Sequence, residues 1–191
     1  PIHAATFTIV RVSSGAIVLL IVPAAAGERG AARSGTWISA AALVAYALAF
    51  SLAYVQLGAA IGALLLFGAV QLTIIVVALY AGEMARWREW AGLATAAGGL
   101  VYLVLPGLTS PPLTGSILMT AAGVAWGIYT IRGRGIPNPL PTTTGNFVRG
   151  VPLVGAAGVL APLATPGPIT GSAGGVLLAV ASGGLTSALG Y

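Results

Sequence analysis

Residues 34–82 read SGTWISAAALVAYALAFSLAYVQLGAAIGALLLFGAVQLTIIVVALYAG and hold no Asp, Glu, Lys or Arg. A hydrocarbon layer about 30 Å thick is crossed by roughly 20 apolar residues at about 1.5 Å of helical rise each. This one stretch is therefore long enough for two spans, with the break around Gly58. The apolar runs are continuous and lack the period-two alternation of a barrel strand, so the backbone must satisfy its hydrogen bonds within helices. Residues 90–131 and 150–191 are equally free of charge. A secretory signal would account for one short apolar segment near the start, not for a series of them.

The fold class expected is all-α, a polytopic transmembrane helix bundle with seven visible spans at residues 5–22, 37–57, 60–81, 89–105, 113–131, 143–163 and 169–190. The separators are rich in Pro and Gly, which remove backbone donors or cost backbone entropy and so stop helices. They fall at residues 23–30, 105–112, 133–141 and 163–168. Composition agrees: 58% of the 191 residues are hydrophobic and 6% charged, where a soluble domain carries about 25% charged residues. Mean hydropathy is +1.00.

The net charge of +5 comes from eight Arg and three Glu. A nucleic-acid partner would need those arginines clustered on one basic face, and here they come in ones and twos between apolar runs. Arg29 and Arg33 follow the first span, Arg86 and Arg88 the third, and Arg132 and Arg134 close the fifth. The intervening loops, around Gly58, Gly107 and Gly167, carry no charge. By the positive-inside rule the first visible span runs from outside into the cytoplasm. Arg without Lys, amid so much Ala and Gly, is associated with GC-rich bacterial genomes, which puts the chain in a bacterial inner (plasma) membrane. It begins at Pro1 without Met and stops at Tyr191 inside an apolar helix, so the expectation is a section of a longer protein. The abundant helical glycines, such as Gly98, Gly99, Gly183 and Gly184, let helix backbones approach closely.

Three stretches resemble the EamA-type permeases of the drug/metabolite transporter superfamily. Leu79-Tyr-Ala-Gly-Glu83, followed by Trp90-Ala-Gly92 and Ala97-Gly-Gly-Leu-Val101, looks like the family pattern in which Gly-Glu ends one helix and a Gly-containing helix follows. Gly123-Val-Ala-Trp-Gly-Ile-Tyr129, continuing to Arg132-Gly-Arg134, is similar to the Trp-containing helix that opens the family's second half. Thr6-Phe-Thr-Ile-Val-Arg11 resembles the start of its second helix. The resemblance covers nearly the whole chain and implies ten helices in two five-helix inverted repeats, so that residues 1–108 are a first repeat lacking its first helix and 109–191 a second repeat truncated after its third. Thr6…Val10-Arg11 and Thr144…Val148-Arg149 open the spans that would be repeat equivalents. The implied activity is secondary transport, in the direction of export, of small metabolites or drug-like molecules across the cytoplasmic membrane by alternating access. One departure is Val70-Gln71-Leu72, where many members carry a mid-helix Pro.

Five residues are candidates for function. Gln71 is about a dozen residues from either end of its span, too deep for a short amide to reach water, so it either lines the pathway or bonds a neighbouring helix. Arg11, about 10 Å into its span, either binds an anionic group or extends to the outer headgroups. Trp126 and Tyr46 could wall an aromatic cavity. Tyr54 and Tyr129 fit an interfacial belt or core packing better. Glu83, at the cytoplasmic edge, is either a gate or the partner of Arg86 or Arg88. The expected partners are a small-molecule substrate and the lipid bilayer, with a homodimer left open and no nucleic acid. No cofactor or metal is expected. Cys and Asp are absent from the sequence, and His3 reads as a near-terminal interfacial residue. An intramembrane enzyme would need a nucleophile with a base, paired carboxylates or metal ligands, which the spans do not offer. The alternative to a transporter is a structural or assembly subunit of a membrane complex.

The arginine asymmetry makes the topology testable. In intact cells, single cysteines placed at Ser34, Ala85 and Gly133 are expected to be protected from a membrane-impermeant thiol reagent, and cysteines at Ser110 and Thr165 to react. Labelling at Ala85 from outside would overturn the orientation and the span count together.

Overall fold

The computed structural model describes residues 2–25, 27, 30–83, 86–104, 111–164 and 171–189. Glu28 and Arg29, and the loop positions Gly107 and Gly167, lie outside the described residues, as does the side chain of Glu89. Among the described residues seven helices follow one another: α1 (Ala4–Ala25), α2 (Trp37–Tyr54), α3 (Ala59–Tyr80), α4 (Trp87–Val104), α5 (Leu113–Gly133), α6 (Pro139–Ala164) and α7 (Ala173–Leu189). A single 3-10 turn, Ala31–Arg33, lies between α1 and α2. Four of the helices (α1, α2, α3 and α5) are long and apolar enough to cross a membrane, and α7 contains a shorter apolar helix. The strand-like pairing among the described residues is one isolated antiparallel bridge, Ile2 with Gly171.

Several helix ends differ from the sequence expectation: α2 stops at Tyr54, three residues early, α7 begins at Ala173, four residues late, and two further ends differ at proline. α1 does not stop before Pro23 but continues through it to Ala25. Pro23 has no N–H to give the Leu19 carbonyl four residues back. The hydroxyl of Thr144 on α6 supplies the donor at 2.9 Å, sharing its proton with the Leu140 carbonyl at 2.8 Å. α6 likewise begins at Pro139, four residues before the expected Thr143. Prolines in a first turn cost nothing there, because those N–H groups have no partner inside the helix.

Two other ends are closed by local hydrogen bonds. Thr36 accepts the Ser39 N–H with its hydroxyl at 3.2 Å and opens α2. At the end of α3, Glu83 N–H reaches the Ala78 carbonyl at 2.9 Å and Gly82 N–H the Leu79 carbonyl at 3.0 Å. This is a Schellman closure, and it places Gly82 at φ +79°, a backbone conformation that side chains disfavour. The Gly-Glu motif is thus a helix stop whose glycine is demanded by geometry.

Packing follows residue size. α1 lies along α6 and α7, α2 along α5 and α6, and α3 along α5, while α4 touches α3 lightly. The fully buried positions are dominated by small side chains such as Ala40, Ala53, Ala122 and Ala179, while Val159, Leu177 and Leu178 on the outer faces are 79%, 71% and 68% exposed. Such exposed apolar surface is unfavourable in water and marks faces built for an apolar surrounding or another helix. α5 meets α3 through Gly123 and Gly127. A Cβ at Gly123 would sit 2.6 Å from Ala69 Cβ and from the Leu66 carbonyl oxygen, and one at Gly127 would sit 2.8 Å from Thr73 Cβ. α1 and α7 approach as closely: a Cβ at Gly183 would strike the Arg11 carbonyl.

The same substitution should therefore change stability in opposite directions at two positions. Gly123→Ala is expected to cost about 1–3 kcal/mol, since the neighbouring atoms include backbone that cannot give way. Gly68→Ala, where a Cβ meets nothing within 4 Å, should be neutral or stabilising by up to about 1 kcal/mol through helix propensity. Reversible unfolding of the detergent-solubilised protein measures both.

Candidate substrate cavity

With α1, α2, α5 and α6 set by these close approaches, their facing side chains enclose a cavity of about 450 Å3. Its lining includes Arg11 from α1, Ser39 and Leu43 from α2, Trp126 and Arg132 from α5, and Asn146 from α6. The lining extends to Gly133, Ile136 and Pro139, at the end of the bundle that carries Arg33, Arg134 and Glu83. Toward the other end it stops at Arg11, Ala47 and Trp126. Beyond them Ala53, Leu57, Ile61 and Met119 form a buried apolar cluster. Thr8 there donates to Ser51 Oγ at 2.8 Å, tying α1 to α2.

Two of the sequence candidates, Arg11 and Trp126, line this cavity, and a third, Tyr46, packs against both from outside the lining. The Tyr46 and Trp126 rings pack with centroids 4.7 Å apart, and the Arg11 guanidinium lies 5.9 Å from the Tyr46 ring centroid. The rings continue in both directions. Phe50 is 5.8 Å from Tyr46, Tyr54 is 5.5 Å from Phe50, and Tyr129 is 5.4 Å from Trp126. Tyr129 is buried and Tyr54 half exposed. Phe50 went unnoticed in the sequence, although its i, i+4 spacing to Tyr46 and Tyr54 is the signal for a shared helix face.

Gln71 lies elsewhere. Ala69 and Thr73 face α5, and at about 100° per residue a side chain two positions on from Ala69 points to the opposite side of α3. Gln71 is exposed there and does not line the cavity. Its depth could be read from spacing, but the face it occupies depended on which helix α3 packs against.

Two further residues contribute to the cavity wall: Arg132, which the sequence analysis uses for topology, and Asn146. Arg132 donates through Nε to Ser39 Oγ at 3.0 Å and through Nη2 to Thr36 Oγ1 at 3.3 Å. Asn146, nearly fully buried, accepts the Thr36 N–H at 2.9 Å and donates to the Tyr129 hydroxyl at 3.5 Å. Arg149 does not extend into the surroundings. It donates to the carbonyls of Ser34, Arg33 (2.9 Å) and Gly145 (3.0 Å), and lies 6.0 Å from the Trp37 ring. The α1–α2 connection is thereby tied to α6.

Glu83 reaches across to another helix. Its ion pair is with Arg134 at 3.7 Å, with side chains 61% and 46% exposed respectively. His3 Nδ1 accepts the Ala5 N–H at 3.3 Å and so helps to begin α1.

The two cationic contacts at this end should differ in strength. A double-mutant cycle of Glu83→Gln and Arg134→Gln is expected to give a coupling of at most about 1 kcal/mol, since water screens the pair. Arg149→Met leaves carbonyls without their charged donor and should cost about 2 kcal/mol. Equilibrium unfolding measures both.

No protein-family model matches the chain, and no solved structure does. The chain is similar to a protein of Pseudomonas aeruginosa named "Uncharacterized protein PA1977", at 44% identity over 190 residues, covering 100% of this chain and 65% of that protein. It therefore spans slightly less than two thirds of that relative's length.

Proposed function

We propose that the chain forms part of an integral membrane secondary transporter for small molecules, of the EamA type, working by alternating access in a bacterial inner membrane. The observation that carries this reading is the cavity's asymmetry. Its lining runs from Gly133, Ile136 and Pro139 at the arginine-bearing end to the middle of the bundle and goes no farther toward the other end than Arg11, Ala47 and Trp126. If that end faces the cytoplasm, as the arginines require, the arrangement is an inward-facing state. A volume of about 450 Å3 lies within the range of small-molecule sites.

On this reading all seven helices span the membrane, and ten spans form two inverted repeats. Two observations support it. With α1 equivalent to α6 and α2 to α7, an in-plane twofold exchanges the α1–α7 contact with the α6–α2 contact and leaves α1 against α6. Both contacts are present, and α1 lies along α6. The Pseudomonas relative is about half as long again as this chain, which in that protein leaves room for about three more spans of roughly 20 apolar residues each.

The test is flux through the full-length protein in proteoliposomes, screened with labelled metabolites. Trp126→Ala should lower transport at least tenfold while the protein remains folded. Gln71→Leu, on the opposite face of α3, should leave it within about twofold. No flux for any solute would count against transport, and a Gln71→Leu defect as large as that of Trp126→Ala would place the pathway elsewhere.

A further inference from the structure

The cavity's charge points to the class of molecule it takes. Two guanidinium groups line it, those of Arg11 and Arg132, and no carboxylate does among the described residues. Glu83 is at the bundle end, paired with Arg134. Arg11 is in the middle of the bundle, where a charge is costly unless something answers it.

Among the described residues the Arg11 side chain has neither a hydrogen bond nor an ion pair. Its contact is with the Tyr46 ring, 5.9 Å from the guanidinium carbon. A cation over a ring face is held by the ring quadrupole and uses none of its N–H donors. Five donors in a planar fork thus remain available at the closed end of a cavity. Arg149 shows the contrast within the same molecule: it also lies by an aromatic ring, yet its donors are taken by three backbone carbonyls. Arg132, nearer the mouth, is fixed by Ser39 and Thr36 through Nε and Nη2, and its Nη1 has no partner among the described residues.

We infer that the cavity binds a small organic monocarboxylate. Its carboxylate engages the fork of Arg11, its apolar or aromatic body lies against Trp126, and Arg132 attracts it toward the mouth. A planar guanidinium matches a carboxylate in two parallel hydrogen bonds, which a cation or a neutral amide cannot reproduce. The inference rests on the transport reading for its purpose, though binding can be measured without transport.

The experiment uses the full-length protein in nanodiscs and isothermal titration with three acid–amide pairs: benzoate and benzamide, indole-3-acetate and indole-3-acetamide, 4-methylpentanoate and 4-methylpentanamide. At least one acid is expected to bind tenfold or more tightly than its amide. Arg11→Gln should remove that preference, and Arg11→Lys should restore part of it. If no acid binds better than its amide in the wild-type protein, the inference is overturned, whether or not any variant folds. A preference that survives in folded Arg11→Gln also overturns it, since the anion is then held elsewhere. Selective acid binding in a protein that moves no solute in liposomes would sink the transport reading and leave this one standing. Flux of a cationic or neutral solute that is unaffected by Arg11→Gln, without acid binding, would do the reverse.

Discussion

Glycine and alanine at the helix contacts let the backbones come close enough that one helix meets another's carbonyl oxygen, and the position of every cavity side chain depends on this. Gly183 on α7 sits against the Arg11 carbonyl, and Gly15 on α1 against the Phe147 ring of α6. Gly123 and Gly127 press α5 onto Ala69 and Thr73 of α3. In an apolar surrounding the hydrophobic effect does not drive helices together, so dispersion across such contacts must hold them. Large side chains are then free to occupy either the outside of the bundle or the few interior places where small residues leave room. The cavity is one of those places, and Trp126 projects into it from the turn between Gly123 and Gly127.

The polar interior is small and is spent on joining elements. Thr144 replaces the donor that Pro23 lacks, Asn146 receives the first free N–H of α2, and Thr8 bonds Ser51. Each group answers a specific backbone or hydroxyl deficiency, as buried polar groups must. Arg11 departs from this pattern. Its carbonyl is pressed by a glycine and its guanidinium rests by a ring, so the fold fixes where the charge is without satisfying its donors.

Much of this was legible in the sequence. Continuous apolar runs broken by Pro and Gly locate the helices closely: α2 begins at Trp37 and α5 at Leu113, as read. The end of α2 and the start of α7 fall three and four residues inside the expected spans; at Pro23 and Pro139 the helices run longer, because a hydroxyl from another helix in one case and the tolerance of a first turn in the other override the local rule. Tyr46, Trp126 and Arg11 could be named from residue type and depth. Gln71 could not be placed, because depth is a property of one helix and facing is a property of two. Arg132 and Asn146 were hidden for a related reason: Arg132 is at the end of α5 and Asn146 two turns into α6, and a sequence gives the charge or polarity there but not the neighbour across the bundle.

The aromatic row has an optical consequence. Of the four tryptophans, Trp37, Trp87 and Trp90 are 59%, 74% and 45% exposed near the arginine-bearing end. Trp126 is the one set in the cavity wall, between the Tyr46 and Tyr129 rings. Light absorbed by those two tyrosines passes to an indole within about 5 Å, and the stacked rings hold that indole in an asymmetric field. The emission and near-ultraviolet dichroism of Trp126 therefore respond to whatever fills the cavity, while the other three indoles report the surface. With those three replaced by phenylalanine, the protein carries its own spectroscopic gauge of occupancy.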